Sequence, residues 1–183
     1  MRTPRALLLF LFSALSSIVP SAPLTADSSP EMVSPVTLQS VEGAKVKIDF
    51  ATAKLTLVNF WATWCMPCRE EIPDIARLMS RYKENGLQVY GIAMESGEVA
   101  EVKDFLQRNK AFGVNYPMLM GTDEISDAFG GVMAVPTTYL VDGKGRIVKK
   151  RIGVTSDFHK AMSADIEQFL GAAGSGKKAA AAP

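Results

Sequence analysis

The two cysteines of the chain, Cys65 and Cys68, are separated by only two residues. Thiols at this spacing can close a disulfide, so the pair can cycle between a dithiol and a disulfide. The pair follows the apolar run Leu55–Trp61 and opens a stretch whose apolar residues recur at helical spacing. Unpaired backbone N–H groups at a helix N-terminus stabilise an anion and lower the pKa of a thiol there. The sequence therefore predicts Cys65 as the nucleophile and Cys68, shielded one turn further into the helix, as the resolving thiol.

Two other roles for this pair are weighed against redox cycling. A purely structural bridge across so short a loop would remove little entropy from the unfolded chain. A metal site is the second alternative, because the chain has 9 methionines, including Met66 between the cysteines, and soft sulfur ligands suit copper. Methionine is more often a core residue, so we expect no metal and no other cofactor. A copper chaperone or copper-binding module is the alternative function that is not enzymatic.

Composition and charge exclude other classes of function. With 183 residues, 48% of them apolar and 21% charged, the chain suits one domain with a buried core. The 20 lysines and arginines against 19 acidic residues give a net charge of +1, which lacks the basic excess of a nucleic-acid-binding domain. We therefore expect no nucleic-acid partner. With one histidine and two cysteines, the chain is also too poor in ligands for a closed four-ligand zinc site.

The N-terminal segment predicts export. Arg2 and Arg5 precede a mostly apolar run from Ala6 to Val19, and small residues and prolines follow it, as in a secretory signal peptide. The run is shorter than the ~20 apolar residues of a typical membrane span. We expect residues 1–26 to be a signal peptide or an uncleaved N-terminal anchor, and the protein to be periplasmic or otherwise exported.

Changes in composition mark the limits of the folded domain. Residues 27–35 are rich in proline and serine and are expected to form a flexible leader. Residues 171–183 are rich in glycine, alanine and lysine and are expected to be a disordered tail. The folded domain is therefore predicted to span residues 36–170.

Within that span the patterns predict an α/β domain, a mixed sheet covered by helices on both faces. The predicted strands are 36–38, 45–48, 55–61, 87–94, 116–120, 137–141 and 147–151. The predicted helices are one opened by the cysteines and ending before Asn85, two near 99–106 and 124–129, and a last one with Ser156 as its N-cap. The first two strands and the last two read as hairpins, whereas the strand–helix–strand order around the cysteines implies a parallel pair.

The residues around the cysteines resemble the active-site stretch of the thioredoxin superfamily. Residues 58–73, VNFWATWCMPCREEIP, place Trp-Cys-x-x-Cys after the expected strand and a proline, Pro73, inside the next helix. Residues 135–137, Val-Pro-Thr, match the loop that carries the superfamily's cis-proline. More narrowly, the chain is similar to exported bacterial TlpA/ResA/CcmG-type thiol-disulfide oxidoreductases, whose strand-helix insertion matches residues 87–116. The resemblance covers residues 36–170.

The resemblance implies a thioredoxin fold with a TlpA-type insertion and an N-terminal β-hairpin. It implies a cis bond between Val135 and Pro136, with the proline against the disulfide and backbone groups of Val135 presented to an extended substrate strand. Trp64 is expected to shape the substrate surface, whereas Trp61 packs inside. The expected substrate-binding residues are Trp64, Met66, Pro67, Val135 and Pro136.

One departure from plain thioredoxin concerns a carboxylate. Plain thioredoxins carry an aspartate on the strand before the motif, where this chain has Asn59, which cannot act as a base. In the TlpA/ResA branch a glutamate on the helix takes that place, and the matching residue is Glu71. It lies three residues after Cys68 and on the same helix face, whereas Glu70 points elsewhere. We expect Glu71, with its pKa raised by burial, to accept the proton of Cys68 during resolution; a solvated Glu71 is the alternative.

The resemblance also implies the biological role of the reaction. Such proteins keep cysteines of protein substrates reduced outside the cytoplasm, for cytochrome c maturation or copper-centre assembly, with electrons from a membrane-bound thiol reductant. We expect a cysteine-containing protein substrate and a monomeric enzyme. A disulfide oxidant or isomerase is the alternative, and a measured reduction potential would distinguish it from a reductase. A peroxidase is disfavoured because the threonine that peroxidases carry three residues before the cysteine is Ala62 here.

Overall fold

The structure, a computed structural model, describes residues 31–171 of the chain. The predicted signal peptide or anchor, residues 1–26, lies outside the described residues, as does the predicted tail beyond Gly171. Between residues 31 and 171, no helix has both the length and the apolar character needed to cross a membrane.

The described residues form seven strands and four α-helices, in the predicted order. The strands are β1 (Val36–Gln39), β2 (Lys45–Ile48), β3 (Leu55–Trp61), β4 (Leu87–Ala93), β5 (Met118–Met120), β6 (Thr137–Asp142) and β7 (Ile147–Ile152). The helices are α1 (Met66–Tyr82), α2 (Val99–Arg108), α3 (Asp123–Ala128) and α4 (Phe158–Leu170).

The central sheet is mixed, as predicted. Its five strands have the order β5-β4-β3-β6-β7. β4 runs parallel to both β3 and β5, whereas β6 is antiparallel to β3 and β7. β1 and β2 form a separate antiparallel hairpin. All seven residues of the central strand β3 are buried, which explains why this strand reads as a nearly continuous apolar run.

Helices cover both faces of the sheet, which also confirms the prediction. Alternate residues of β3 divide between the faces, because successive side chains of a strand point in opposite directions. Leu57 and Trp61 join one core cluster with apolar residues of α1, α2 and α4. Val58 and Phe60 join the other, with α3 and the hairpin. There the Phe60 and Phe129 rings meet edge to face with centroids 5.2 Å apart.

The folded part begins earlier than the sequence predicts. Val33, inside the predicted leader 27–35, is only 4% exposed, and its N–H donates to the carbonyl of Gly145 at 2.8 Å. The N–H of Ile147 donates to the carbonyl of Glu31 at 2.9 Å. These bonds attach the end of the leader to the β6–β7 hairpin, a long-range pairing that a Pro- and Ser-rich composition does not indicate.

Among the element boundaries that differ from the prediction are the start of β5 and the N-cap of α4. β5 begins at Met118 rather than Tyr116, because Pro117 has no N–H to donate to a strand ladder. Asp157, not Ser156, is the N-cap of α4, and its side chain makes no capping hydrogen bond. Its carboxylate instead accepts a hydrogen bond of 2.7 Å from the hydroxyl of Thr155.

Candidate active site

Cys65 and Cys68 are joined by a disulfide at the N-terminus of α1, with their Cα atoms 5.3 Å apart. Cys65 is the N-cap residue and has an extended backbone conformation. Its Sγ accepts a hydrogen bond of 3.2 Å from the backbone N–H of Cys68. A helix N-terminus offers such unpaired N–H groups, so this position stabilises a thiolate after reduction.

The connection from β3 to α1 places the disulfide at the carboxyl end of the parallel strands. Trp61, the last residue of β3, is fully buried and packs beside Phe105 of α2, with ring centroids 5.7 Å apart. The chain then turns, and the N–H of Cys65 donates to the carbonyl of Ala62 at 3.1 Å. The Oγ of Ser96 accepts from the N–H of Thr63 at 3.0 Å and fixes this turn to the loop after β4.

The two sulfur-bearing residues differ in burial. Cys65 is 4% exposed, whereas Cys68 is 0% exposed. Pro67 occupies the first turn of α1, where a missing N–H does not interrupt the helix. The small exposed part of the disulfide therefore lies at Cys65.

Alkylation of the reduced protein tests this asymmetry. With limiting iodoacetamide near neutral pH, we expect Cys65 to be labelled first, because its position lowers the thiol pKa below the ~8.5 of a free cysteine. Peptide mass spectrometry after brief labelling identifies the modified residue. Preferential labelling of Cys68 would contradict the assignment of nucleophile and resolving thiol.

Exposed apolar side chains surround the entrance to Cys65. Trp64 and Met66 are 63% and 59% exposed, and Pro67 between the cysteines is exposed as well. The indole Nε1–H of Trp64 donates to the backbone carbonyl of Glu95 at 2.9 Å, which fixes the ring. Met133, two residues before Val135 in the chain, is also an exposed apolar side chain, with 95% of its surface accessible.

The Val135–Pro136 peptide bond is cis, as predicted. Pro136 is buried, and its carbonyl accepts a hydrogen bond of 2.8 Å from the N–H of Gly153. Val135 is half-buried and packs against the core cluster that contains Cys65 and Cys68. The fold thus brings this loop to the core cluster of the disulfide, although it is distant in sequence.

Glu71 is fully buried under α1, so the alternative of a solvated carboxylate is wrong. The Nδ2 of Asn59 donates to Glu71 Oε1 at 2.5 Å and to the Oγ1 of Thr138 at 3.0 Å. Asn59 and Thr138 are partners across β3 and β6, which explains how one amide holds both groups. Thr138 was not among the predicted site residues.

Burial shifts the titration of this carboxyl. Desolvation raises the pKa of Glu71 from an ordinary value of 4.5 to about 8, the charge of Asp74 adds to the rise, and the hydrogen bond from Asn59 opposes it. Glu70 is exposed on the other side of the helix, as predicted. The site therefore combines a redox-active pair with one buried acid that titrates near neutral pH, which is the range useful to a proton acceptor.

Side chains that could bind a metal do not gather elsewhere in the described part of the chain. Between residues 31 and 171, no group of three or more His, Cys, Asp and Glu side chains is arranged to hold an ion. His159, the only histidine in the sequence, lies with its Nδ1 3.5 Å from Asp74 Oδ1. A copper site would have to use the reduced cysteines, with Met66 as the adjacent soft ligand.

Comparison with known proteins shows which family this chain belongs to. The AhpC/TSA family model matches residues 30–150, and the chain belongs to that family. Thiol-disulfide oxidoreductase ResA of Bacillus subtilis (strain 168) is 31% identical over 121 residues, which cover 66% of this chain and 65% of ResA. The chain therefore spans just under two thirds of the length of this relative.

Two further similarities cover more of the chain. Thioredoxin-like protein YneN of Bacillus subtilis (strain 168) is 32% identical over 130 residues, 71% of this chain and 75% of YneN. A solved thiol:disulfide interchange protein of the thioredoxin family from Chlorobium tepidum TLS matches with a TM-score of 0.67 and 30% identity, covering 80% of this chain and 100% of that one. These similarities confirm the thioredoxin fold and the resemblance to ResA-type oxidoreductases.

Proposed function

We propose that the protein is a thiol-disulfide oxidoreductase that reduces disulfides of protein substrates outside the cytoplasm. The observation that carries the proposal is the disulfide at the N-terminus of α1, with Cys65 slightly exposed, Cys68 fully buried and the buried carboxyl of Glu71 one turn beyond Cys68. Relatives named thiol-disulfide oxidoreductase support the activity. Ala62 offers no hydroxyl where peroxidases carry a threonine, so we do not propose peroxide reduction.

The first step is attack by the Cys65 thiolate on a disulfide of the substrate protein. A bond forms between Cys65 Sγ and one substrate sulfur, and the other substrate sulfur leaves as a thiolate that takes a proton from solvent. The hydrogen bond from the N–H of Cys68 stabilises the attacking thiolate. The product of this step is a mixed disulfide.

The second step resolves the mixed disulfide through Cys68. The thiol of Cys68 gives its proton to the Glu71 carboxylate as its sulfur attacks Cys65 Sγ. The Cys65–Cys68 disulfide forms as the bond between Cys65 and the substrate sulfur breaks, the substrate sulfur leaves as a thiolate that takes a proton from solvent, and Glu71 returns its proton to solvent. Two electrons have then passed from the cysteine pair to the substrate, and a dithiol reductant must return them before the next cycle.

Substrate binding is assigned to the exposed apolar rim and the cis-proline loop. Trp64, Met66 and Pro67 present apolar surface beside Cys65. Backbone groups of Val135, next to Pro136, would pair with an extended segment of the substrate in the manner of an added strand. This mode of binding recognises main-chain atoms around the substrate cysteine and therefore tolerates different side chains there.

The proposed cellular setting is supported by the sequence of the N-terminal segment and by the resemblance to exported TlpA/ResA/CcmG-type oxidoreductases. We assign the protein to the periplasm or another exported location, as a monomer whose residues 1–26 act as a signal peptide or anchor. A membrane-bound thiol reductant would supply the electrons. Cysteine-containing proteins of cytochrome c maturation or copper-centre assembly are the proposed substrates.

Substitution of the resolving cysteine tests the proposal. The reduced Cys68→Ser variant, incubated with exported proteins, is expected to accumulate disulfide-linked adducts through Cys65, because the second step is blocked. Non-reducing electrophoresis and mass spectrometry would identify the adducts, which reducing agent should release. The Cys65→Ser variant is the control and should form none. Absence of adducts on Cys68→Ser, or equal adducts on the control, would contradict the mechanism.

A further inference from the structure

The loop that follows β4, residues 94–98, is joined to the turn before Cys65 by a buried serine. Ser96 is 8% exposed. Its Oγ accepts a hydrogen bond of 3.0 Å from the N–H of Thr63 and donates one of 2.8 Å to the carbonyl of Met94. This hydroxyl therefore uses its donor and an acceptor position to hold the loop against the redox motif.

Glu95, the neighbour of Ser96, has a backbone conformation that is unusual for glutamate. Its φ of 44° makes it the one non-glycine residue between residues 31 and 171 with a positive φ. Such a conformation is unfavourable for a residue with a side chain and persists only where the surroundings hold it. The Glu95 side chain is exposed, whereas its carbonyl accepts a hydrogen bond of 2.9 Å from the indole Nε1–H of Trp64. The contact that this backbone provides is therefore made by the carbonyl, not by the carboxylate.

Packing does little to hold the Trp64 ring. The side chain is 63% exposed and belongs to neither core cluster. A groove of about 690 Å³ lies beside it, between the start of α1 and α2, with Arg69 and Phe105 also in its lining. Without its hydrogen bond the ring would be free to turn into this space. The contact between the indole and the Glu95 carbonyl is therefore what restricts Trp64.

We propose that Ser96 is a positioning residue that keeps Trp64 in place as a rigid wall of the substrate site. Its hydrogen bonds hold the loop around Glu95, so that the positive φ is maintained and the carbonyl stays directed at the indole. A wall that is already fixed does not have to be ordered when the substrate protein binds, which favours binding. This inference rests on the substrate-binding role of Trp64 in the proposed function.

The proposal implies a difference between kinds of substrate. A protein disulfide contacts Trp64 as its sulfur reaches Cys65, whereas a small aliphatic disulfide does not need that wall. Ser96 should therefore matter for the first kind and not for the second. The thiolate of Cys65 should be unaffected, because its stabilising hydrogen bond comes from the N–H of Cys68 and not from the loop.

The Ser96→Ala variant tests the proposal. We expect the second-order rate constant for attack by the reduced protein on a disulfide-bonded peptide to fall about fivefold, the cost of ordering one side chain on binding. The rate with hydroxyethyl disulfide and the pH dependence of Cys65 alkylation should stay at the wild-type values. In the oxidised protein, NMR relaxation of the Trp64 indole N–H, assigned by its absence in Trp64→Phe, should report a mobile ring, whereas that of Trp61 should not change.

A double-mutant cycle separates positioning of Trp64 from a general structural effect. Trp64→Phe removes the indole N–H but keeps an aromatic ring, so adding Ser96→Ala to it should slow attack on the peptide no further. Ser40→Ala is the matched control, because Ser40 is also buried and its Oγ also accepts a backbone N–H, that of Glu42 in the hairpin. Glu95→Gln tests the carboxylate, and both controls should behave as wild type.

Additive losses in the cycle, or an equal loss with hydroxyethyl disulfide, would overturn the inference. So would an immobile Trp64 ring in Ser96→Ala, or a loss in Glu95→Gln as large as that in Ser96→Ala. Trp64→Phe alone leaves the loop intact and should show a similar loss, so the proposal can fail even where Ser96→Ala does not fold. If the wild-type protein does not reduce the peptide although Ser96→Ala releases the ring, Ser96 still positions Trp64 and the proposed function fails instead.

Discussion

Replacement of Glu71 by glutamine is expected to slow resolution of the mixed disulfide by about 10²-fold or more, because loss of a general base has this effect where proton transfer limits the step. Glutamine keeps the shape of the side chain and can still accept the hydrogen bond from Asn59. It cannot take a proton from Cys68. The attack by Cys65 should proceed at nearly the wild-type rate, because that sulfur is already stabilised by the helix N-terminus.

Single-turnover kinetics with a disulfide-bonded peptide separate the two steps, since the mixed disulfide should accumulate in Glu71→Gln and decay slowly. Glu70→Gln is the control: it makes the same chemical change on the exposed side of α1 and should behave as wild type. Equal resolution rates in both variants would mean that solvent, not Glu71, takes the proton.

The fold was largely predictable because the central strand and the helix that follows it have clear local sequence patterns. β3 is buried at every position, so its apolar run is visible without any knowledge of its neighbours, and the cysteines mark where the next helix begins. The N-terminal extension was not predictable. Val33 gains its burial from contacts with the β6–β7 hairpin, and no local pattern indicates a contact across that distance in sequence.

The same distinction applies to the site. Cys65, Cys68 and Glu71 lie within two turns of one helix, so spacing alone indicates which of them share a face. Thr138 reaches the neighbourhood of Glu71 from β6 by accepting a hydrogen bond from Asn59, and its contribution depends on strand order and register.

Ion pairs between elements are another feature that the sequence does not predict. Arg151 of β7 donates two hydrogen bonds to Asp165 of α4, and the Nζ of Lys149 lies 3.3 Å from the same carboxylate. Asp165 is 7% exposed, so this is a partly buried ion pair between a strand and a helix. A run of basic residues in a sequence does not indicate such pairing, because the partner is set by how α4 packs on the sheet.

The buried carboxyl should also dominate how stability changes with pH. The pKa of Glu71 rises from an ordinary value of 4.5, which the unfolded chain keeps, to about 8 in the folded protein, chiefly because of burial. Below the unfolded value the carboxyl is neutral in both states, so its burial carries no ionisation penalty. As the pH rises towards the folded value, only the unfolded state ionises, and each pH unit favours unfolding by about 1.4 kcal/mol. Above the folded value the penalty is complete.

Glu71→Gln should therefore be more stable than wild type at pH ~8 to 9 by several kcal/mol and nearly equal to it at pH ~4, because glutamine does not ionise. Urea unfolding of the oxidised proteins across this range measures the difference, and comparison between variants cancels the titration of all other groups. Glu70→Gln, which changes an exposed carboxylate, should follow the wild-type curve. A constant difference between Glu71→Gln and wild type at every pH would show that Glu71 ionises alike in both states. A gain confined to high pH would mean that the site keeps a base at the expense of stability, as expected for a group retained for catalysis.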